Sequence, residues 1–159
     1  MSIHTSQLLI THCREPFLTP QLNKYILDHD CFGFALTTLL AHKFCGEIRA
    51  ESWERLIHET SSKAYESEGP TVAEMCFMDL YAIKRRDPAC DNLVTAFLHF
   101  KGFKALASHR MAHVLWREGR KDAALAIQSR CSELFAVDIH PAARIGTGIT
   151  CTGHFLNHS

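Results

Sequence analysis

No stretch of this chain stays apolar for long. The longest run near the start, Leu8-Leu9-Ile10, is far too short for a secretory leader or a membrane-spanning helix. A cytoplasmic protein with no membrane association is therefore expected. Net charge is missing too: lysine plus arginine equals aspartate plus glutamate at 17 each. Such a balance creates no global field that would draw the chain to nucleic acid or an anionic membrane. The seven cysteines (Cys13, Cys31, Cys45, Cys76, Cys90, Cys131, Cys151) contain no C-x-x-C pair. An odd, scattered set argues against a disulfide framework and for reduced thiols packed as small hydrophobes. No low-complexity linker interrupts the chain, and no repeat precedes Ile139. What remains, at 159 residues and 47% hydrophobic content, is one domain's worth of chain with a proper core.

Helical periodicity fills most of that length. Pro16 to Leu27 reads as a short helix with Phe17, Leu22, Tyr25 and Ile26 as its apolar residues. Asp30 is expected to cap the next helix, which carries Phe32, Leu36, Leu39, Leu40 and Phe44 and ends by Gly46. Ser52 is expected to cap another, with Trp53, Leu56, Ile57 and Ala64 on one face, stopped by Gly69-Pro70. Thr71-Val72-Ala73-Glu74 has the spacing of a capping box, in which hydroxyl and carboxylate satisfy each other's orphan backbone donors. The helix it opens carries Val72, Met75, Cys76, Leu80 and Ile83. Asp79 borders that face, as either a rim residue or a paired internal one.

Arg86-Asp87-Pro88 is the sharpest punctuation in the helical part. Proline disfavours helical geometry in the residue before it, so the helix ends near Arg86. Asp87 can then cap a helix starting at Pro88 and passing Leu93, Phe97 and Phe100. After a loosened point at Lys101-Gly102, Phe103, Leu106, Ala107, Met111, Val114 and Leu115 continue the stripe to Gly119. A last helix spans Lys121 to Phe135, burying Ala123, Ala124, Ile127, Cys131 and Leu134.

The period then changes. Ile139 and Ile145 stand six residues apart, a spacing that neither a helix nor an ordinary strand explains. It is the period of a left-handed parallel β-helix, whose triangular coils turn one aliphatic side chain inward per side. The expected fold is mainly α: a multi-helix N-terminal domain over 1–135, the beginning of a left-handed parallel β-helix over 136–149, and a divergent, disordered tail over 150–159.

Three stretches carry a resemblance. They are Arg86-Asp87-Pro88-Ala89-Cys90-Asp91, the run Lys101-Gly102-Phe103-Lys104-Ala105-Leu106-Ala107-Ser108-His109-Arg110 with His113 and Trp116, and Val137 to Ile149, which reads V-D-I-H-P-A-A-R-I-G-T-G-I. In that order and spacing they resemble serine O-acetyltransferase, a hexapeptide-repeat acyltransferase family of cysteine biosynthesis, from about Leu27 to Ile149. The resemblance implies a helical domain followed by a β-helix that binds acetyl-CoA, a cosubstrate and not a resident cofactor, between subunits. It also implies acetyl transfer to the hydroxyl of L-serine, and a homo-oligomer joined through the helical domain. A protonated hydroxyl is a poor nucleophile, so a histidine base must take its proton. An aspartate holds that imidazole in the right tautomer, and further carboxylates bind the serine ammonium.

Carried over residue by residue, Asp87 matches the substrate-binding aspartate and Asp138 the aspartate that orients the catalytic histidine. His140 falls to a structural role; Asp91 and Asp79 read as solvated or capping carboxylates. After Gly148-Ile149 the family continues with two apolar residues and then Asp-His. Here Thr152 and Gly153 take those places, and His154 comes one residue late, which in a strand sends a side chain to the opposite face. The chain is accordingly read as truncated by a frame change, a retained intron or a misjoined exon. On that reading it lacks the base, the CoA-binding coils and the tail that docks on the partner cysteine synthase. Two functions follow: a serine O-acetyltransferase by family, or an inactive truncated subunit that associates through its helices with full-length subunits. The pair His109-x-x-x-His113 has a spacing that metals use, but Arg110 replaces the glutamate of H-E-x-x-H and no third ligand is evident. No metal is expected there, nor at His154-x-x-x-His158.

Overall fold

The computed structural model describes residues 15–150. The readings on Leu8-Leu9-Ile10, Cys13, Cys151, Thr152, Gly153, His154 and His158 lie outside the described residues. Pro16 and Pro20 each start a helical turn, where a missing N–H costs nothing. A 3-10 turn (Pro16–Leu18), the short α1 (Thr19–Leu22) and a π turn (Asn23–Leu27) then follow one another without a break. Only Ile26 of this lead-in is buried.

Helices α2 (Phe32–Phe44) and α3 (Ala50–Ser61) pack as an antiparallel pair, with Phe44 edge-on to Trp53 at 5.1 Å. Their N-termini differ from the sequence reading. The capping positions are Cys31 and Arg49, both extended, and neither lends a side-chain bond. Asp30 lies outside the helix, and Ser52 sits in the first turn with its N–H on Arg49 O at 3.1 Å. Two good capping residue types stood nearby, but the chain turned into each helix one to three residues from them. Gly46 lies beyond the C-terminal cap Cys45. α3 also ends well before Gly69-Pro70. Ala64 is not on it but pairs with Thr71 across a short antiparallel turn that swings Tyr65 over the body.

The capping box forms as read. Thr71 Oγ1 accepts from Glu74 N–H at 3.2 Å, and the Glu74 carboxylate accepts from Thr71 N–H at 2.9 Å. It opens α4 (Val72–Arg86), which stops where the proline rule requires. Asp87 does not cap a helix at Pro88. Its carboxylate accepts from Ala89 N–H at 2.9 Å, an Asx turn that bends the chain back. Asn92 instead caps α5 (Leu93–His99), accepting from Thr95 N–H at 2.8 Å.

α6 (Lys101–Arg117) is the central helix, buried on every side from Phe103 to Leu115. Alanines at 105, 107 and 112 let neighbours approach closely, and Leu106 and Met111 fill the gaps. Its polar residues are buried with partners: Lys104 Nζ donates at 2.7 Å to Leu98 O, a carbonyl left over at the end of α5. Gly119, at φ 78°, turns the chain into α7 (Lys121–Phe135), which lies along α6 with the bounds read from the sequence. Phe44, Phe97, Phe103, Ile57, Leu80 and Ile127 close the core between these helices. Each such side chain contributes about 1.5–3 kcal/mol on burial. Cys31, Cys45, Cys76 and Cys90 are free thiols, and burial pushes those of Cys76 and Cys90 up.

Ala136, at φ 58°, ends α7 and releases the chain into turns and extended backbone. The mainly α class holds, with no strand among the described residues. Residues 140–149 rest on α4 and α6. Ile139 and Ile145 are half-buried, whereas Ile149 is exposed. Among the described residues, no helix is long and apolar enough to cross a membrane.

Candidate functional site

The side chains that meet the 141–149 run come from one face of α6, from α4, and from the turn carrying Tyr65. His109, Arg110 and His113 occupy positions i, i+1 and i+4 of α6, and all are buried. Arg110 meets Asp79 of α4 in a bidentate pair, Nε to Oδ2 at 2.6 Å and Nη2 to Oδ1 at 3.0 Å. Two charges taken out of water in this way hold only if their remaining donors and lone pairs are used. Here they are. Arg110 Nη1 and Nη2 donate to the carbonyls of Ile145 (3.0 Å) and Gly146 (2.6 Å), and its guanidinium stands 5.3 Å from the Tyr65 ring centre. Asp79 Oδ1 also accepts Ile149 N–H at 3.1 Å.

Asp79 is therefore neither solvated nor a cap. It is an internal carboxylate whose partner lies 31 residues away, which no local spacing could reveal. Arg110 was missed as well. The available signal was a permanently charged residue in the middle of an otherwise apolar, alanine-rich stripe.

The two histidines use ring nitrogens on the same run. His109 donates from Nε2 to Ala143 O at 3.1 Å, and His113 from Nδ1 to Pro141 O at 2.7 Å. Burial pushes His109 down to about 4, helped by the nearby His113 and Arg110, so its ring is neutral at ordinary pH. The H-x-x-x-H spacing thus serves main-chain carbonyls. Among the described residues, no group of three His, Cys, Asp or Glu side chains could hold a metal ion. Tyr65 lies against His113 with the rings tilted by 32° and their centres 4.8 Å apart, and its hydroxyl accepts Ile145 N–H at 3.4 Å.

Asp87 sits half-buried in its Asx turn. The adjacent Arg86 reaches across to donate to the carbonyl of Gly148. The R-D-P turn and the end of the G-T-G-I run, 62 residues apart in sequence, are thereby brought together. Beside them opens a cleft of about 480 Å³ lined by Phe77, Met78, Tyr81, Arg85 and Arg86. Asp138 lies elsewhere, exposed at the exit of α7, where Oδ1 accepts from Gln128 Nε2 at 2.6 Å. His140 accepts Ala142 N–H on Nδ1 at 3.1 Å and rests edge-on against Trp116, an arrangement that shapes the turn. Asp91 is exposed.

A family model described as serine acetyltransferase, N-terminal, matches residues 7–108. The chain is 57% identical over 136 residues to serine acetyltransferase 1, chloroplastic, of Arabidopsis thaliana, covering 86% of this chain and 42% of that one. It is 42% identical over 136 residues to the serine acetyltransferase of Haemophilus influenzae, covering 85% and 49% respectively. A solved serine acetyltransferase in complex with CoA superposes with a TM-score of 0.77 at 40% identity, covering 85% of this chain and 56% of that one. Soybean serine acetyltransferase complexed with serine gives 0.76 at 39% identity, covering 84% and 54%. The chain spans less than half the length of these two curated relatives.

Proposed function

Because the chain belongs to the serine acetyltransferase family, we propose that it serves acetyl transfer from acetyl-CoA to the hydroxyl of L-serine. In this reading Asp87 takes the serine ammonium, and Asp138 orients the histidine that removes the hydroxyl proton. The serine oxygen attacks the thioester carbonyl carbon, the C–S bond breaks, and the CoA thiolate leaves with the proton the base has taken. The observation that carries the reading is the bond from Arg86 to the Gly148 carbonyl. It holds the turn that carries Asp87 against the run that ends at Ile149, an arrangement this reading needs. Assembly through the helical body and a cytoplasmic setting belong to the same proposal.

A second reading rests on one residue. Gly153 occupies the place that the resemblance gives to the base, so the sequence carries Asp87 and Asp138 without a histidine at that place. It then acts as a non-catalytic subunit that associates with full-length subunits. Thiol release from acetyl-CoA in the presence of L-serine separates the two. Release by the purified chain above background eliminates the non-catalytic reading. Silence, together with co-purification with a full-length serine acetyltransferase subunit, eliminates catalysis by this chain alone.

A further inference from the structure

We propose that Asp79 and Arg110, with His109 and His113, are positioning residues: together they form a seat that reads the main chain of 141–149 and fixes the direction in which the chain leaves Ile149. Its catalytic consequence rests on the acetyltransferase reading above; the seat itself does not. The contacts of these four side chains land on backbone atoms: the carbonyls of Pro141, Ala143, Ile145 and Gly146, and the N–H of Ile149; Arg86 adds the Gly148 carbonyl and Tyr65 the Ile145 N–H. A guanidinium offers only donors and a carboxylate only acceptors. The Arg110–Asp79 pair therefore fixes which main-chain groups face it: two successive carbonyls at the guanidinium and an N–H at Asp79 Oδ1.

The seat is also rigid. Arg110 and Asp79 project from two packed helices, and α6 is buried all round, so neither side chain has room to follow a displaced run. An extended segment with no sheet neighbour would otherwise leave its polar groups to water and move freely. The helical body takes the neighbour's place. It orders the last residues before the position assigned to the base, which is what a reaction needing exact approach geometry requires. This gives the H-R-x-x-H row of α6 a role that its metal-like spacing did not suggest.

Amide hydrogen exchange on the full 159-residue chain tests the proposal. The Ile149 amide is expected to exchange at least roughly 100-fold more slowly than in a free peptide. In the double variant Asp79→Leu/Arg110→Met, which leaves no orphan charge, that protection is expected to vanish while the α2 amides of Leu39 and Leu40 keep theirs. If the double variant does not fold, the milder Arg110→Lys is read in the same way. It keeps the charge but not the fork, and a loss of roughly tenfold at Ile149 alone is expected. An Ile149 amide that exchanges freely in the unaltered chain, or stays protected in the variant that folds, overturns the proposal. Exchange does not depend on turnover, so the seat and the acetyltransferase reading can fail separately.

Discussion

Arg110 and Asp79 meet inside the helical body with side chains 0% and 1% exposed, and each also holds main-chain atoms of the 145–149 run. Removing one member leaves the other as an unpaired buried charge. Asp79→Ala and Arg110→Ala are each expected to cost about 3–5 kcal/mol of stability, whereas the apolar double replacement costs little. Urea unfolding midpoints of the three variants check this, and additive losses in the double variant would show that the pair is not coupled.

Thr71→Ala removes the hydroxyl that caps α4. A loss of about 1 kcal/mol is expected, visible as a lower urea midpoint with an unchanged slope. Because Glu74 also accepts from Thr71 N–H, half of the box survives, and Thr71→Ala should cost less than the double variant Thr71→Ala/Glu74→Ala.

The neutral His109 ring makes stability depend on pH in a definite window. Its folded value, about 4, lies below the ordinary histidine range near 6.5. Between these values the unfolded chain binds more protons than the folded one, so stability rises with pH. The contribution is complete above about pH 6.5, falls as pH drops towards 4, and amounts to roughly 3 kcal/mol. Carboxylates held low by their partners, such as Glu59 and Glu74, lose their contribution only at lower pH. Unfolding free energies measured from pH 7 to 4.5 should therefore slope downward in the parent chain and less steeply in His109→Gln, where the His99 ring, also held low by burial, keeps part of the slope.

Gly148 carries φ 67° beside the Arg86 contact. A Cβ there would meet Ala82 Cβ at 3.9 Å, an ordinary contact, so the strain of Gly148→Ala lies in the backbone. A cost of about 1–2 kcal/mol is expected. Faster exchange of the Ile149 amide would accompany it.

Much of the helical body was legible because its signals are local. The capping box at Thr71, the proline stop after Arg86 and the bounds of α7 each rest on residues within a few positions of one another. Asp30 and Ser52 misled because residues that favour caps also occur just outside and just inside helices, and the chain entered at Cys31 and Arg49. Asp87 was read as a cap because an Asx turn and an N-cap draw on the same short carboxylate. The seat was illegible for another reason. Asp79 looks like a helix-edge carboxylate until α6 places Arg110 against it, and His109 and His113 look like a metal pair until Ala143 and Pro141 come within reach.

The central claim, that this helical body serves serine acetylation, is tested most directly by a chimera. Residues 1–149 are joined to the C-terminal part of Arabidopsis chloroplastic serine acetyltransferase 1, the 57% identical relative, and thiol release from acetyl-CoA is followed with and without L-serine. The account expects serine-dependent release, reduced at least roughly 100-fold by Asp138→Asn and weakened through a raised KM for serine by Asp87→Asn. A chimera that folds and assembles yet releases no thiol in response to serine would contradict it.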